Sequence, residues 1–450
     1  MTVGAVLCHG VWDLLHLGHI RHLQEAARLG NWLVVSVSAD RHVKKGMGRP
    51  RFSAEQRAEA VRALQCVDEV IINDDDGAWE LIRRLKPAFY VKGIDYVGVT
   101  ENTGLEKEKQ AIAEVGGQMK FTGGQKWSSS QLLKTETFSD EVCEYLDRMK
   151  AAGARDKILE AFDAADQKRI LFVGETILDI YRYVQGLGRA SKELMLATVE
   201  VGAESFEGGV LAAAKHGEWK NCRVLTDPSG LSKTRYVDVD FKRKIFDVYQ
   251  SREIAISEHE REHFRSDISA ALGSSDVAVV NDFGHGLFGA YERSLLNGFK
   301  FLALNCQTNA GNYGFNLVTK YPMADYVCID DPEARLAAGV QKEPILRAVD
   351  ALQKSISCGR FLITHGRYGS HWFQSPHSNS APALAIGGID TMGAGDAVMA
   401  VTAPLVAAGL DMACAALVGN IVGAIKVSIL GHRRHVGRQE IIQTVEALLA

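Results

Sequence analysis

Two short strings in this sequence have residue types and spacing suited to chemistry at phosphorus. The first, His16-Leu17-Gly18-His19, lies in a loop that follows an apolar run and leads directly into helix-favouring sequence. Two histidines flanking a glycine at a helix N-terminus can aim ring N–H groups, with the helix's own free amides, at one polyphosphate. Such donors stabilise the charge that grows on oxygen when an α-phosphorus is attacked, with no covalent intermediate needed. Further groups of this kind follow in order. Lys44, Lys45 and Arg49 lie in the glycine-rich stretch VKKGMGRPRF, Lys92 precedes Gly93 after another apolar run, and Ser128, Ser129 and Ser130 follow Trp127 at a further helix start. The cations suit β- and γ-phosphates, and the serine hydroxyls and amides suit leaving pyrophosphate. Taken singly, a basic pair reads as a solvated face and a serine run as a cap. Several in order at βα boundaries favour a nucleoside triphosphate site. A zinc site from Cys8, His9, His16, His19 and His22 is the alternative, and it lacks a second ligand cluster at suitable spacing.

The second string, Asp390-Thr391-Met392-Gly393-Ala394-Gly395-Asp396, precedes a long apolar helix. Its glycines let backbone amides converge on phosphate at the helix N-terminus, and Asp396 is placed to take a proton from an attacking hydroxyl. That is the layout for phosphoryl transfer from ATP to an alcohol. An isolated Gly-x-Gly-Asp is often only a capped turn, but the full seven-residue string is more specific.

Positioning these strings calls for open α/β architecture. Val3–Cys8, Trp32–Ser38, Glu69–Ile72, Ala88–Val91 and Gln118–Phe121 read as strands. Ile20–Leu29, Ala54–Leu64, Ala78–Leu85 and Gln110–Val115 read as helices between them, the rhythm of a parallel sheet. From 139 to 168 the sequence is charged and helix-favouring, without a strand. Strand signals resume at Arg169–Val173, Val277–Asn281, Phe301–Asn305, Tyr326–Ile329 and Arg360–Thr364, before Ala-rich helical sequence from Ala394 to Leu430. The expected organisation is an N-terminal Rossmann-like α/β domain over 1–138, a helical linker over 139–168, and a different α/β/α domain over 169–450.

Composition agrees with this plan. At roughly 100–200 residues per domain, 450 residues suit two or three domains, and 46% hydrophobic with 24% charged residues excludes disorder and membrane-spanning classes. The 43 Gly against 9 Pro point to tight βα turns near a ligand. A net charge of -4 leaves no footprint for nucleic acid or anionic lipid, so small-molecule substrates are expected, with neither nucleic acid nor membrane as partner. The eight cysteines form no Cys-x-x-Cys pair and no targeting segment is visible, which predicts reduced thiols in the cytoplasm.

From Cys8 to about Lys134 the sequence resembles the cytidylyltransferase-like nucleotidyltransferases, through HLGH, KGMGRP, Gln56-Arg57, VKGIDY and SSSQLL. Within them it is most similar to the adenylyltransferase half of the bifunctional heptose-phosphate kinase/adenylyltransferases. The resemblance implies that His16, His19, Lys44 and Ser128 to Ser130 bind the nucleoside triphosphate, with Gly18, Arg49 and Lys92 beside them. Residues 169–450 resemble the ribokinase-like (PfkB) sugar kinases through DTMGAGD, Gly174, Asp179, Gly208-Gly209, Lys233-Thr234-Arg235, DFGHG at 282–286 and Thr364-His365-Gly366. That likeness implies Asp396 as catalytic base. It also implies Thr391, Gly393, Ala394, Gly395, Thr364 and Gly366 around ATP, Asp179, Gly208 and Gly209 at the sugar, and Glu333 acting indirectly on Mg²⁺.

Several positions depart from the kinase pattern. Val210, Leu211 and Ala212 stand where a polar Asn is usual, His285 replaces a Lys, Asn305 replaces an acid, and the NxxE string begins with Asp330. Only 24 positions separate Gly209 from Lys233, which predicts a shortened lid. Domain order is reversed relative to the bifunctional enzymes. The resemblance as a whole implies a sugar-nucleotide biosynthetic homodimer. Its first domain would transfer a nucleotidyl group from ATP, or CTP, to a sugar 1-phosphate such as heptose 1-phosphate, and its second would phosphorylate a heptose phosphate with ATP. The alternative is a single-activity nucleotidyltransferase, with CTP and a polyol phosphate as substrates, whose kinase-like domain only binds or dimerises.

Overall fold

The protein is represented by a computed structural model. It describes residues 4–43, 50–93, 103–122, 138–189, 195–227, 231–240, 243–251, 253–254, 256–385 and 387–449. Two compact units divide the chain, Met1–Ser139 and Asp140–Ala450.

The first unit alternates strand and helix: β1 (Ala5–Gly10), α1 (Leu17–Ala27), β2 (Trp32–Ser38), α2 (Ala54–Arg62), β3 (Glu69–Asn73), α3 (Trp79–Leu85), β4 (Phe89–Lys92), α4 (Thr103–Glu114) and β5 (Gln118–Phe121). The strands form one parallel sheet in the order β3-β2-β1-β4-β5. Helices on both faces make the inner strands largely apolar, and β1 opens with Ala5-Val6-Leu7-Cys8 before His9. Val6, Val35 and Leu23 pack on one face of the sheet, and Leu7, Val34 and Ile82 on the other. Chain order reverses beside β1, and ligands of open α/β sheets bind at the carboxyl ends of strands at such a point.

The second unit begins with α5 (Asp140–Ala151) and α6 (Ala154–Asp166), followed by β6 (Ile170–Gly174), β7 (Thr176–Arg189), β8 (Leu196–Gly209), α7 (Val210–Ala213), β9 (Cys222–Leu225), β10 (Leu231–Asp238) and β11 (Arg243–Tyr249). Then come α8 (Glu258–Leu272), β12 (Val277–Asp282), α9 (Ala290–Leu296), β13 (Leu302–Cys306), β14 (Tyr326–Asp330), α10 (Asp331–Ala338), α11 (Ile345–Ser355), β15 (Arg360–Thr364), β16 (Ser370–Gln374) and β17 (His377–Ala381). Helices α12 (Ala394–Ala407), α13 (Met412–Lys426) and α14 (Arg438–Leu448) close it. Eight strands form the main sheet, β17-β16-β15-β14-β13-β12-β6-β9, parallel except at β16 and β17. Helix α12 is buried nearly all round, as its continuous apolar sequence requires.

Helices α5 and α6 fall within this second unit rather than forming a free connection. Asp166 at the end of α6 takes the Arg438 guanidinium, and Phe162 stacks on Trp219.

The short Gly209–Lys233 interval holds α7, β9 and the start of β10. A second sheet, β11-β10-β7-β8, is built mainly from a hairpin of two 14-residue strands that precedes that interval. Strand β8 is largely exposed on both faces, so it lacks the apolar alternation that marks a half-buried strand.

Candidate active sites

In the first unit, the turn after β1 is held from beneath. Trp12 and Leu14 adopt positive φ (55° and 52°), conformations rarely taken by large side chains. The buried Asp13 carboxylate accepts the amides of Arg51 (2.9 Å) and Phe52 (3.3 Å). Arg57, 1% exposed, donates to the carbonyls of Val11, Ser38 and Phe52 and pairs with Asp40. Its guanidinium thus ties the loop to the sheet edge.

His16 caps α1. Its Nδ1 accepts the amides of Gly18 (3.1 Å) and His19 (3.4 Å), which leaves the ring proton on Nε2 as a donor. The His16 and His19 rings stack at 3.9 Å, and Trp12 meets His19 edge-on while stacking on His22. His9 is bonded to Ser36 and His22 to Thr122. Burial first, and the Lys92 charge second, lowers His9 to about 3, and burial lowers His22 to about 4. Burial also pushes the Cys8 thiol far up. A zinc-binding role would need Cys8 as thiolate, and its surroundings oppose that form.

Lys92 ends β4 beside β1, with Val91 opposite Cys8. Its ammonium is buried, 3.0 Å from Glu108 and 5.4 Å from the Tyr90 ring centroid. The structure therefore brings His16, Gly18, His19 and Lys92 to one end of the sheet and gives Lys92 an acidic partner that the sequence did not suggest. Lys44, Arg49, Ser128, Ser129 and Ser130 lie outside the described residues.

In the second unit, Gly393 caps α12 at φ 68°, and a Cβ there would lie 2.9 Å from the His432 ring. Ala394, Gly395 and Asp396 form the first turn, where amides have no intrahelical acceptor. Thr391 stands exposed just ahead of them. The fully buried Lys426 fixes this turn by donating to the carbonyls of Met392 and Gly431, both at 2.8 Å. Asp390 accepts from Lys244 (2.7 Å), Gly431 N (3.0 Å) and Tyr181 (3.3 Å). Burial alone would raise Asp390, but these donors hold it below the usual carboxylate range.

Burial pushes the Asp396 carboxyl up to about 6, against the opposing pull of His432, Gln307 and Lys426. Gln307, at the end of β13, donates to its Oδ1 at 2.6 Å. Asp179 on β7 is held by Arg235 and by His432 Nε2 at 3.2 Å. Burial works against its ionisation, but these partners keep it below its ordinary value. Gly208 and Gly209 pack directly here. A Cβ on Gly208 would lie 2.7 Å from the Asp179 carboxylate, and one on Gly209 would lie 2.3 Å from Glu175 O. His432 thus sits between Asp179 and the α12 turn.

Thr364 ends β15 opposite Asp330, and Gly366 follows at φ 52°. Glu333 and Asp330 form a capping box on α10, and the Glu333 oxygens accept Thr308 N (2.9 Å) and Asp330 N (3.0 Å). Burial, then repulsion from Asp330, pushes Glu333 up to about 8. The departures also have structural roles. His285 N bonds the buried Glu175, its ring faces Tyr249 of β11, and Asn305 Nδ2 donates to Cys328 O. Arg235 lies inside the Lys233-Thr234-Arg235 string, whereas His432, Lys426 and Lys244 belong to no recognised string. Only their contacts reveal them.

Residues 7–135 match the family described as cytidylyltransferase-like, and residues 316–435 match the pfkB family of carbohydrate kinases. The chain is 43% identical over 97 residues to the bifunctional protein HldE of Syntrophotalea carbinolica, covering 21% of this chain and 20% of that protein. It is 46% identical over 95 residues to the HldE protein of Campylobacter fetus subsp. fetus, covering 21% of each. The chain thus spans about one fifth of the length of these curated relatives, in its N-terminal domain. A phosphofructokinase-2 mutant from Escherichia coli superposes with a TM-score of 0.50 at 10% identity, over 63% of this chain and 99% of that one, a likeness of fold. An N-terminal cytidylyltransferase-like nucleotidyltransferase domain and a C-terminal pfkB carbohydrate-kinase domain of ribokinase-like fold are therefore joined in this chain.

Proposed function

We propose that the protein serves sugar-nucleotide biosynthesis with two transfers at phosphorus. In the first unit, a phosphate oxygen of a sugar 1-phosphate, with heptose 1-phosphate favoured, attacks the α-phosphorus of ATP or CTP. The bond to the bridging oxygen breaks and pyrophosphate leaves. His16 Nε2–H, His19 and the α1 amides stabilise the charge on those oxygens. In the second unit, Asp396 accepts the proton of a sugar-phosphate hydroxyl as its oxygen bonds the γ-phosphorus of ATP, and ADP departs with the bridging oxygen. Gly393, Ala394 and Gly395 present amides to the transferred group, while Asp179 orients the sugar.

The observation that carries this reading is the pair of helix N-termini, each equipped for its own transfer: stacked histidines on α1, and a carboxylate near pH 6 on α12. The test is pyrophosphate release from ATP or CTP with heptose 1-phosphate, alongside ADP formation with sugar phosphates. Absence of pyrophosphate release across a nucleotide and sugar-phosphate panel, with folded protein, refutes the first activity.

Among the described residues no group of three or more His, Cys, Asp or Glu is arranged to hold a metal ion. That suits Mg²⁺, which phosphates and water largely ligate. The half-buried Glu333, raised by burial and by Asp330, is a carboxylate that a nearby cation would ionise. Its oxygens already accept amides, so Glu333 and Asp330 would hold the ion through water. When bound, Mg²⁺ neutralises charge on the β- and γ-phosphates.

No helix among the described residues is long and apolar enough to cross a membrane. Unpaired cysteines support a reducing, cytoplasmic setting. Exposed Leu178, Val199, Val201, Phe246 and Val248 on the four-stranded sheet support a homodimer in which a second copy covers them. Light scattering on Val201→Lys, expected as monomer, tests it.

One observation favours a second reading, in which the kinase-like unit only binds ligand: Asp179 is already neutralised by Arg235 and His432. Calorimetric binding of sugar phosphate without ADP turnover would support it.

A further inference from the structure

We propose that Gln307 is the positioning residue of the base, holding one oxygen of the Asp396 carboxylate so that the other faces the acceptor hydroxyl. This rests on the kinase reading of the second unit. Gln307 Nε2 donates to Asp396 Oδ1 across 2.6 Å, joining residues 89 positions apart.

Gln307 is itself rigidly mounted. Its N–H donates to Asp282 O at 2.8 Å, continuing the β12–β13 ladder, and its carbonyl accepts Asn316 Nδ2 at 2.9 Å. The next amide, Thr308 N, is fixed by Glu333. The polar stretch from 307 to 316 closes on itself and on the β12 loop. Asn309 Nδ2 and Asn312 Nδ2 both donate to Phe283 O, and Asn316 Nδ2 also reaches Asp282. Only the side-chain torsions of Gln307 remain free, and the Asp396 bond takes them up.

A carboxylate in the first turn of a helix can rotate about two side-chain torsions, presenting either oxygen or neither. Tying Oδ1 from the sheet removes that freedom and leaves Oδ2 for the incoming proton. The titratable groups facing Asp396 are Asp179 on β7, Cys328 on β14, Glu333 on α10, Lys426 on α13 and His432 beyond it. Among these, a neutral amide orients the base without quenching it. A lysine in its place would add a full positive charge and weaken proton uptake.

The test compares the intact protein with Gln307→Met, which keeps volume without a donor, and Gln307→Asn, which keeps the amide but shortens its reach. Two readouts are taken: ADP formation as a function of pH, and titration of the ¹³C-labelled Asp396 carboxyl, assigned with Asp396→Asn. Circular dichroism confirms folding. In both variants kcat should fall about ten- to hundredfold, with KM for ATP within about twofold. The acid limb and the carboxyl titration should both move up by about one pH unit. Turnover that persists with an unmoved limb and titration overturns the proposal. If the carboxyl titration moves but the intact protein forms no ADP with any sugar or sugar phosphate, the kinase reading falls. The catalytic role of Gln307 falls with it, and lost turnover separates that result from the first.

Discussion

Both units place their chemistry at a helix N-terminus beside the carboxyl edge of a parallel sheet, yet they equip it in opposite ways. On α1 the groups are imidazole rings, with His16 capping the helix through Nδ1 and stacked on His19. On α12 the group is a carboxylate, raised to about 6 by burial and tied by Gln307. In the proposed reactions, the attacking species accounts for the difference. A sugar phosphate arrives already ionised and needs donors for the leaving side, whereas a sugar hydroxyl must lose a proton and needs an acceptor near working pH. On the proposed reading the same backbone device serves two chemistries, with one or two side chains deciding which.

The comparison breaks most sharply at Asp396. Asp396→Asn should lower ADP formation by about 10²–10⁴-fold and leave pyrophosphate release intact, as assays of both products on one preparation would show. Equal loss of both would mean that the units do not work separately.

On the other side, His16→Asn keeps a side-chain acceptor for the cap while removing the Nε2 donor. Pyrophosphate release should fall about 10²–10³-fold, with the melting temperature nearly unchanged. A large drop in melting temperature would reassign His16 to structure.

The third contrast is in pH. ADP formation should fall below about pH 6 as Asp396 takes up a proton, and pyrophosphate release, which does not use that carboxyl, should not follow the same limb. The stability sign follows from the same shift. The folded value lies above the ordinary aspartate value of 3.8, so the Asp396 contribution is fully present below about 3.8 and is lost as pH rises through about 6. Asp396→Asn is therefore expected to raise the melting temperature by about 2–4 °C at pH 8 and by less at pH 4.

The smallest effect concerns the sugar side. Gly209 combines φ 62° with a Cβ position 2.3 Å from Glu175 O, so Gly209→Ala should destabilise the second unit by about 1–3 kcal/mol. Denaturant unfolding measures it. Loss of the second unit's transition alone would confirm that the two units unfold separately.

Much of the fold was legible because the strands of the parallel sheets are short segments rich in apolar and β-branched residues between helix-favouring stretches. Trp32–Ser38 and Gln118–Phe121 occupy the residues their composition indicates. The four-stranded sheet was not legible: β7 and β8 carry glycines, charges and exposed apolar residues without period, because no core covers both ends of the hairpin.

The sequence by itself determined the local devices: glycines and helix-starting residues that create anion-binding turns, and His16, His19 and Asp396 within them. These are properties of a few consecutive residues, and backbone geometry follows from them directly. Only the tertiary structure decided the partners. Gln307 with Asp396, His432 with Asp179, Lys244 with Asp390 and Glu108 with Lys92 join separate elements. Proton affinity and orientation depend on burial and on charges across space, and those distances come into being only when the sheets assemble.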